Sequence, residues 1–320
     1  MRTIVAVIVM MCLGACAQPR HDIMAFSALD ASATPTPQLI SRQNRPLFPI
    51  PAGAKREKLD AELAAARADL AADPNNPEKI VWVGRRLGYL WRMNEAIAVY
   101  MAGIRLHPNY APLYRHRGHR YISVRQFDKA IADLTRAAEL IRGNPDEIEP
   151  DGTPNERNLP LNSLAFNVWY HLGVANYMKG DFEAALRAFR ENMNYTRGYD
   201  DNVASVTDWT YMTLRRLGRE QEALAALEPI GTDMDIIENH AYHRRTLMYK
   251  GIIAPDDLID TPDASTVDFA TLAYGLGNWY LCDGQLDQAA EVFERIVAAD
   301  AWPAFGYIGA EVDLTRLPRH

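Results

Sequence analysis

The stretch LYRHRGHRYIS at residues 113–123 is the segment whose side chains most suggest chemistry. His116 and His119 lie three residues apart, and so do His240 and His243. On a helix this spacing can bring two imidazoles to one metal ion, but zinc requires three or four ligands. Neither pair comes with a clear third ligand, so we predict no metal site and no cofactor.

Other catalytic arrangements are also missing from the sequence. It contains no glycine-rich phosphate loop, no serine elbow and no paired cysteines. Cys282 has no evident base beside it, which favours a half-buried helix residue over a nucleophile. We therefore predict a protein without enzymatic activity, with a metal-dependent hydrolase as the remote alternative.

The N-terminus has the pattern of an export signal. Arg2 precedes an apolar run of about a dozen residues, which suits a signal peptide and is too short to span a membrane. The run ends in Leu13-Gly14-Ala15-Cys16. These four residues resemble the lipobox of bacterial lipoproteins, which implies a signal peptide at 1–15 and a lipid on Cys16. An ordinary signal peptide that happens to contain a cysteine is the alternative.

The resemblance implies a protein anchored in the bacterial cell envelope, and we expect it at the periplasmic face of the outer membrane. Several acyl chains would hold it firmly without spanning the bilayer. Residues 16–54 start with the lipidated cysteine and are rich in Pro, Ala, Ser and Thr, which predicts a flexible tether. Without residues 1–15 the chain has 33 basic and 41 acidic residues. This balance argues against nucleic acid as a partner.

From residue 55 onward, apolar residues recur at helical spacing, and the segments repeat. Residues 83–109 align with 117–144 at an offset of 34, which places Gly84 on Gly118 and Ala96 on Ala130. This period and the alternation of small and large residues resemble the tetratricopeptide repeat (TPR), a helix–turn–helix unit. The resemblance implies an all-α TPR superhelical solenoid of about five to six repeats across 55–317.

The family pattern can be followed residue by residue. The small residue of helix A falls on Gly84, Gly118, Gly173 and Gly277. The small residue of helix B falls on Ala96, Ala130, Ala185, Ala223 and Ala289, and the large apolar residue four positions later is Tyr100, Leu134, Phe189, Leu227 or Phe293. The turn between the two helices contains Gly180 and Gly218 in later copies, but Trp91 and Arg125 stand there in the first two.

Four segments depart from the regular array. A copy at 237–269 is degenerate, because two prolines make its second helix doubtful. We expect capping helices at 55–72 and 305–317, since end repeats have no neighbour on one face. An insertion at 144–165 is acidic and then proline-bounded, and it either takes part in binding or is a solvated loop.

In the TPR family, defined positions of helix A line a concave groove. Carried over to this sequence, they predict a groove formed by Arg85, Tyr89, Arg115, His119, Ser123, Tyr170, Tyr177, Arg215, Arg245, Tyr249, Tyr274 and Asn278. Arg and Tyr dominate binding hot spots, and Arg binds carboxylates through two parallel hydrogen bonds. We therefore predict an adaptor that binds an envelope protein or an extended, partly acidic peptide.

Two alternatives to this groove remain open at the level of sequence. The charged side chains could pair with Asp or Glu of neighbouring helices and have no ligand. The second alternative is a cell-wall glycan as the partner, with sugars stacked on Tyr89, Tyr170, Tyr177 and Tyr274.

Overall fold

The structure is a computed structural model of the 320-residue chain that describes residues 36–259 and 266–318. The predicted signal peptide, the predicted lipidation site Cys16 and the first part of the predicted tether lie outside these ranges.

Within the described ranges the chain forms fourteen α-helices and one two-stranded antiparallel sheet. The strands are β1 (Leu39–Ile40) and β2 (Pro46–Leu47). The helices up to the insertion are α1 (Ala54–Ala72), α2 (Pro77–Tyr89), α3 (Met93–Leu106), α4 (Ala111–Ser123) and α5 (Phe127–Ile141). Those that follow it are α6 (Leu164–Lys179), α7 (Phe182–Asn192), α8 (Asp200–Arg216), α9 (Glu220–Ala226), α10 (His240–Tyr249), α11 (Pro255–Leu258), α12 (Thr266–Cys282), α13 (Leu286–Ala298) and α14 (Phe305–Arg316).

Consecutive helices pack as antiparallel pairs, which makes the chain an all-α TPR solenoid, as predicted. The pairs are α2–α3, α4–α5, α6–α7, α8–α9, α10–α11 and α12–α13. The fifth pair is the degenerate one, because α11 has only four residues before the chain leaves the helix. Helix α1 packs on α2, and α14 packs on α12 and α13.

The small and large residues of the repeat meet inside each pair. A Cβ atom on Gly84 would lie 2.3 Å from the Tyr100 ring, and one on Gly173 would lie 2.4 Å from the Phe189 ring. Gly277 meets Phe293 at the same 2.4 Å. The two helices of a pair can therefore approach closely only because helix A has no side chain at this position.

Each of the six turns between paired helices contains one residue with a positive φ angle. Four of these residues are glycines, at 180, 218, 251 and 284, but Trp91 (φ 60°) and Arg125 (φ 59°) adopt the same left-handed conformation. This conformation costs a non-glycine residue about 1–2 kcal/mol. Both side chains contact the C-terminal part of the chain, since Trp91 packs edge-on against Trp302 and Arg125 pairs with Glu311.

The described part of the predicted tether is not extended in the structure. Residues 36–50 form the β1–β2 hairpin and a following strap that packs on both ends of the solenoid. Buried Leu47 and Ile50 hold this segment to the folded core. The Ile50 amide donates to the Leu90 carbonyl, and the Trp302 indole donates to the Phe48 carbonyl at 2.7 Å. Residues 36–50 are therefore folded onto the solenoid, although composition predicted a flexible tether up to residue 54.

The insertion between the second and third pairs is free of helix. Its stem is held by backbone hydrogen bonds from Glu149 to Asn162 and from Leu164 to Glu147. We call residues 144–163 the flap. Leu161 is almost fully buried, whereas Ile148 and Leu159 are exposed. The flap is thus a mostly polar loop that lies on the solenoid and enters its core through Leu161.

Candidate concave binding face

Helix A is the first helix of each pair, and we call the surface formed by all the helix A elements the concave face. Helix α14 packs against this face at the second and third repeats. The Phe305 ring lies 5.4 Å from the His119 ring and 5.7 Å from the His171 ring. The solenoid therefore curves strongly enough for its last helix to fill the concave face of its own earlier repeats.

A buried carboxylate anchors α14 to the second repeat. Glu311 is fully buried, and its Oε2 atom lies 2.6 Å from Nε of Arg125. The other oxygen of Glu311 accepts from the Arg42 amide at 2.7 Å. One side chain thus joins the N-terminal hairpin, the second repeat and α14.

A second buried carboxylate joins α14 to two helix A elements, α8 and α12. Asp313 accepts two hydrogen bonds from Arg216, both at 3.0 Å, and one from the Tyr274 hydroxyl at 3.0 Å. The Tyr177 hydroxyl donates to Asn278 at 2.8 Å. Tyr177, Tyr274 and Asn278, all predicted to line the groove, are therefore part of a buried hydrogen-bond network.

The remaining groove candidates of the C-terminal half also have partners within the chain. Arg245 is buried and lies 3.0 Å from Asp208, and Arg215 pairs with Asp283 at 2.5 Å. The Tyr249 ring stacks on Tyr211 at 4.2 Å. In this half the structure matches the alternative in which the polar residues pair with neighbouring helices.

Two candidates from the middle of the concave face are likewise unavailable to a ligand. Ser123 is buried, and its hydroxyl donates to the carbonyl of His119 in its own helix. The Tyr170 hydroxyl accepts from the Trp209 indole at 2.8 Å and donates to Tyr242. Because Tyr170, Tyr177 and Tyr274 are all at least 92% buried, their ring faces cannot stack on sugars. Of the four tyrosines proposed for glycan stacking, Tyr89 alone is half-exposed.

The N-terminal half of the concave face differs, because its positive charges are not fully paired. Arg85, Arg115 and Arg120 lie on the first two helix A elements and interact electrostatically with one another. We call these three residues the arginine cluster. Among the described residues, Glu149 of the flap is the carboxylate in direct contact with the cluster, at 3.0 Å from Arg115, and Asp151 interacts with Arg85 beyond ion-pair distance. Arg120 donates to the sulfur of Met93 at 3.6 Å.

Burial and mutual repulsion disfavour the cationic forms of Arg115 and Arg120, whereas the burial of Arg85 is outweighed by Tyr89 and Glu149, which raise its pKa. Burial lowers the pKa of Arg120 to about 10, and repulsion from Arg115 and Arg85 acts in the same direction. Burial also lowers the pKa of Arg115. The pKa of His116 lies well below its ordinary value for the same reason, so this imidazole is neutral and its contact with Glu149 at 3.6 Å is not an ion pair. The cluster is thus a partly dehydrated site with an excess of positive charge.

The flap crosses this half of the face through polar contacts. The Arg86 guanidinium donates to the Gly152 carbonyl at 3.2 Å. A Cβ atom on Gly152 would lie 1.8 Å from the Tyr89 hydroxyl, so the flap rests directly on this ring. Farther along, Arg157 forms two hydrogen bonds of 2.7 Å to Asp235, in the loop between α9 and α10.

Five of the predicted groove residues lie in two different environments, under the flap or against Phe305. Arg85, Tyr89 and Arg115 lie under the flap, and His119 and Tyr170 contact Phe305. The sequence reasoning missed the residues that occupy the face, namely Arg120, Glu149, Glu311 and Asp313. The acidic composition of the insertion was the one signal that pointed toward Glu149.

Other site chemistry is limited in the described ranges. They contain no group of three or more His, Cys, Asp or Glu side chains that could hold a metal ion. Burial raises the pKa of the Cys282 thiol to about 11, which makes it a poor nucleophile. None of the helices in these ranges is both long and apolar enough to cross a bilayer.

No family model and no curated protein matches the chain. Solved structures with similarity include YrrB, described as a TPR protein with an unusual peptide-binding site (14% identity, TM-score 0.42, covering 80% of this chain and 100% of YrrB). A tetratricopeptide repeat protein from Parabacteroides merdae has 14% identity and a TM-score of 0.45 over 82% of this chain and 79% of its own. TTC0263 from Thermus thermophilus has 18% identity and a TM-score of 0.41 over 60% and 92%.

Proposed function

We propose that the protein is a non-enzymatic adaptor that binds an acidic segment of an envelope protein through the arginine cluster. The observation that supports this proposal is the incomplete pairing of the cluster. In the described chain, Arg115 alone of the three arginines has a carboxylate within ion-pair distance, that of Glu149, and Asp151 acts on Arg85 from farther away. A partner carboxylate would add the two-pronged hydrogen bonds that guanidinium groups form best. Partial burial would strengthen them relative to the same contact in water.

The local charge of this site is opposite to that of the whole chain. The chain has a formal net charge of −7, which keeps it soluble and repels acidic molecules in general. A cationic site inside an acidic protein selects partners that can insert a single acidic segment, because the acidic remainder of the surface repels molecules that are acidic throughout. This combination favours a specific adaptor over a general binder of polyanions.

The proposed location is the periplasmic face of the outer membrane, with the chain anchored by a lipid on Cys16. This part of the proposal rests on the lipobox-like residues 13–16. The segment between Cys16 and the hairpin at residue 36 would then be the tether, about 20 residues long. At about 3.3 Å per residue it could hold the solenoid up to roughly 60–70 Å from the lipid.

Site-specific photo-crosslinking in intact cells tests the adaptor function. A photoreactive residue replaces the half-exposed Tyr89, beside the arginine cluster, and the adduct is identified by mass spectrometry. We expect one discrete protein adduct. A photoreactive residue at exposed Lys129 on α5 is the control, and it should give no such adduct. Adducts with cell-wall material alone, or equal adducts at both positions, would contradict the adaptor proposal.

Fractionation of cells tests the anchor separately. Cys16→Ser should move the protein from the membrane fraction to the soluble fraction and abolish incorporation of labelled fatty acid. Cys282→Ser is the matched control, because it removes the other mature cysteine. Membrane retention of the Cys16 variant would refute the lipid anchor without affecting the adaptor function.

A further inference from the structure

The flap presents a short acidic sequence to the arginine cluster in the way that a bound peptide would. Residues 147–152 read EIEPDG, and they contact the concave face through the Glu149 carboxylate and the Gly152 carbonyl, while Asp151 interacts electrostatically with Arg85. Glu149 pairs with Arg115 at 3.0 Å, and the Gly152 carbonyl accepts from Arg86 at 3.2 Å. The contacts are therefore those expected of an extended acidic ligand on an arginine-rich groove.

Both side chains of the Arg115–Glu149 pair retain a hydrogen-bonding atom without a partner. Nε of Arg115 and Oε2 of Glu149 are buried without a hydrogen-bond partner. The Arg115 side chain is 7% exposed, so water has little access to it. A guanidinium and a carboxylate in ideal geometry would satisfy both atoms, which indicates that Glu149 is an imperfect occupant of this site.

Beyond the Arg115–Glu149 pair, the flap is held mainly by exposed contacts. Its exposed Arg157–Asp235 ion pair has side chains that are 49% and 69% exposed, and such pairs contribute little to stability. Leu161 near the stem is the apolar side chain it buries deeply, while Ile148 and Leu159 stay exposed. Segments with few buried apolar contacts open at small free-energy cost.

From these observations we propose that the flap is an internal competitor: Glu149 occupies the partner's carboxylate site, and an extended acidic peptide displaces the flap when it binds. The inference rests on the proposed function and specifies its ligand class, a peptide with a Glu two or three residues before a backbone carbonyl that Arg86 can reach. Displacement exposes Arg115, Arg85 and Tyr89 to the partner while α14 stays in place.

Peptide binding to the full mature chain tests this competition. The probe is a fluorescent synthetic peptide of the chain's own residues 144–155, NPDEIEPDGTPN, and affinity is measured by anisotropy at low salt. Glu149→Gln in the protein removes the internal carboxylate, and Gly152→Val pushes the flap away from Tyr89 without a change at the arginines. We expect both variants to bind the probe about tenfold more tightly than wild type, since a charge-assisted hydrogen bond contributes about 1.5–3 kcal/mol.

Three controls make the result specific. Glu156→Gln changes an exposed flap carboxylate and should leave the affinity at the wild-type value. A probe in which the residue corresponding to Glu149 is Gln should bind no variant. Hydrogen exchange should show faster exchange at the stem amides of Glu149 and Leu164 when the probe binds, which a purely structural effect of the substitutions would not produce.

Each other result overturns the competition. Equal probe affinity in wild type and both flap variants would show that the flap does not compete. No binding by any variant would show that the cluster does not accept an acidic peptide of this kind. In either case a discrete adduct from Tyr89 in cells would leave the adaptor function standing, so the two proposals fail separately.

Discussion

The two halves of the concave face use the same helix positions for opposite purposes. In the C-terminal half, α14 inserts Asp313 beside Arg216, and this carboxylate accepts hydrogen bonds from Arg216 and from the Tyr274 hydroxyl. In the N-terminal half, only one of three clustered arginines of the described chain, Arg115, pairs directly with a carboxylate, that of Glu149 in the polar flap. The comparison teaches that a TPR groove can be converted locally into core by one additional helix, while the uncovered part keeps its binding chemistry.

The first test removes a carboxylate from the C-terminal half of the concave face, which α14 covers. Asp313→Ala leaves Arg216 largely buried, with only the Asn278 oxygen near it, and takes an acceptor from Tyr274. We expect a loss of about 3–5 kcal/mol in the free energy of unfolding, because an uncompensated buried charge is costly. Urea denaturation measures it. A loss below about 1 kcal/mol would mean that α14 does not seal this half.

The second test removes the aromatic contact where the halves meet. Phe305→Ala abolishes the packing against His119, His171 and Tyr170. Because Phe305 is only partly buried, we expect a loss of about 2 kcal/mol, less than for a fully buried ring. The matched control is Phe48→Ala, which removes an exposed ring and should change stability by less than about 0.5 kcal/mol.

The histidines at this junction predict a pH dependence of stability. Burial holds the pKa of His119 and of His171 well below the ordinary value, and Arg120 and Arg115 act in the same direction. The unfolded chain binds protons below about pH 6.5 and the folded chain does not, so stability falls as the pH decreases below this value. Between pH 6.5 and 5.5 we expect His119→Gln to lose about 1 kcal/mol less than wild type.

The matched control for the pH experiment is His240→Gln, which changes an exposed histidine at the start of α10. It should retain the wild-type dependence of the denaturation midpoint on pH. An identical dependence in His119→Gln and wild type would mean that His119 takes up a proton equally in both states, and this would contradict its burial against Phe305.

The smallest expected effect comes from the flap. Replacing residues 150–160 by a short Gly-Ser linker, with Glu149 kept, should change the free energy of unfolding by less than about 0.5–1 kcal/mol. The exposed ion pair to Asp235 and the Gly152 contact are lost, but no core side chain is removed. A loss as large as that of Asp313→Ala would show that the flap is a structural element.

Much of the fold could be predicted because the TPR pattern is local. Gly84 and Tyr100 are 16 residues apart, and each pair reports directly on the packing of its own two helices. The degenerate fifth repeat was also visible, since prolines disrupt a helix wherever it packs. By contrast, the hairpin and strap at 36–50 could not be predicted from the sequence, because their composition resembles that of a linker. Their docking depends on Trp302, which bonds Phe48 from over 250 residues away.

The site was predicted less well, for a physical reason that Trp91 and Arg125 illustrate. Both replace the usual glycine at a left-handed turn, and the sequence shows only that the pattern is broken there. The structure shows that both side chains contact the C-terminal segment, Trp91 through Trp302 and Arg125 through Glu311. A departure from a repeat marks a contact that crosses the array, but it does not identify the partner residue.

The sequence by itself determined the helical repeat, the positions of its small and large packing residues and a set of polar residues on helix A, because these follow from periodicity over neighbouring turns. Only the tertiary structure decided which of those residues are available. The curvature of the solenoid sums small rotations over six helix pairs, and it carries Phe305, Glu311 and Asp313 to residues 97–186 positions earlier in the chain. Contacts between residues so far apart in the chain depend on the geometry of the whole superhelix. A local sequence pattern carries no information about that geometry.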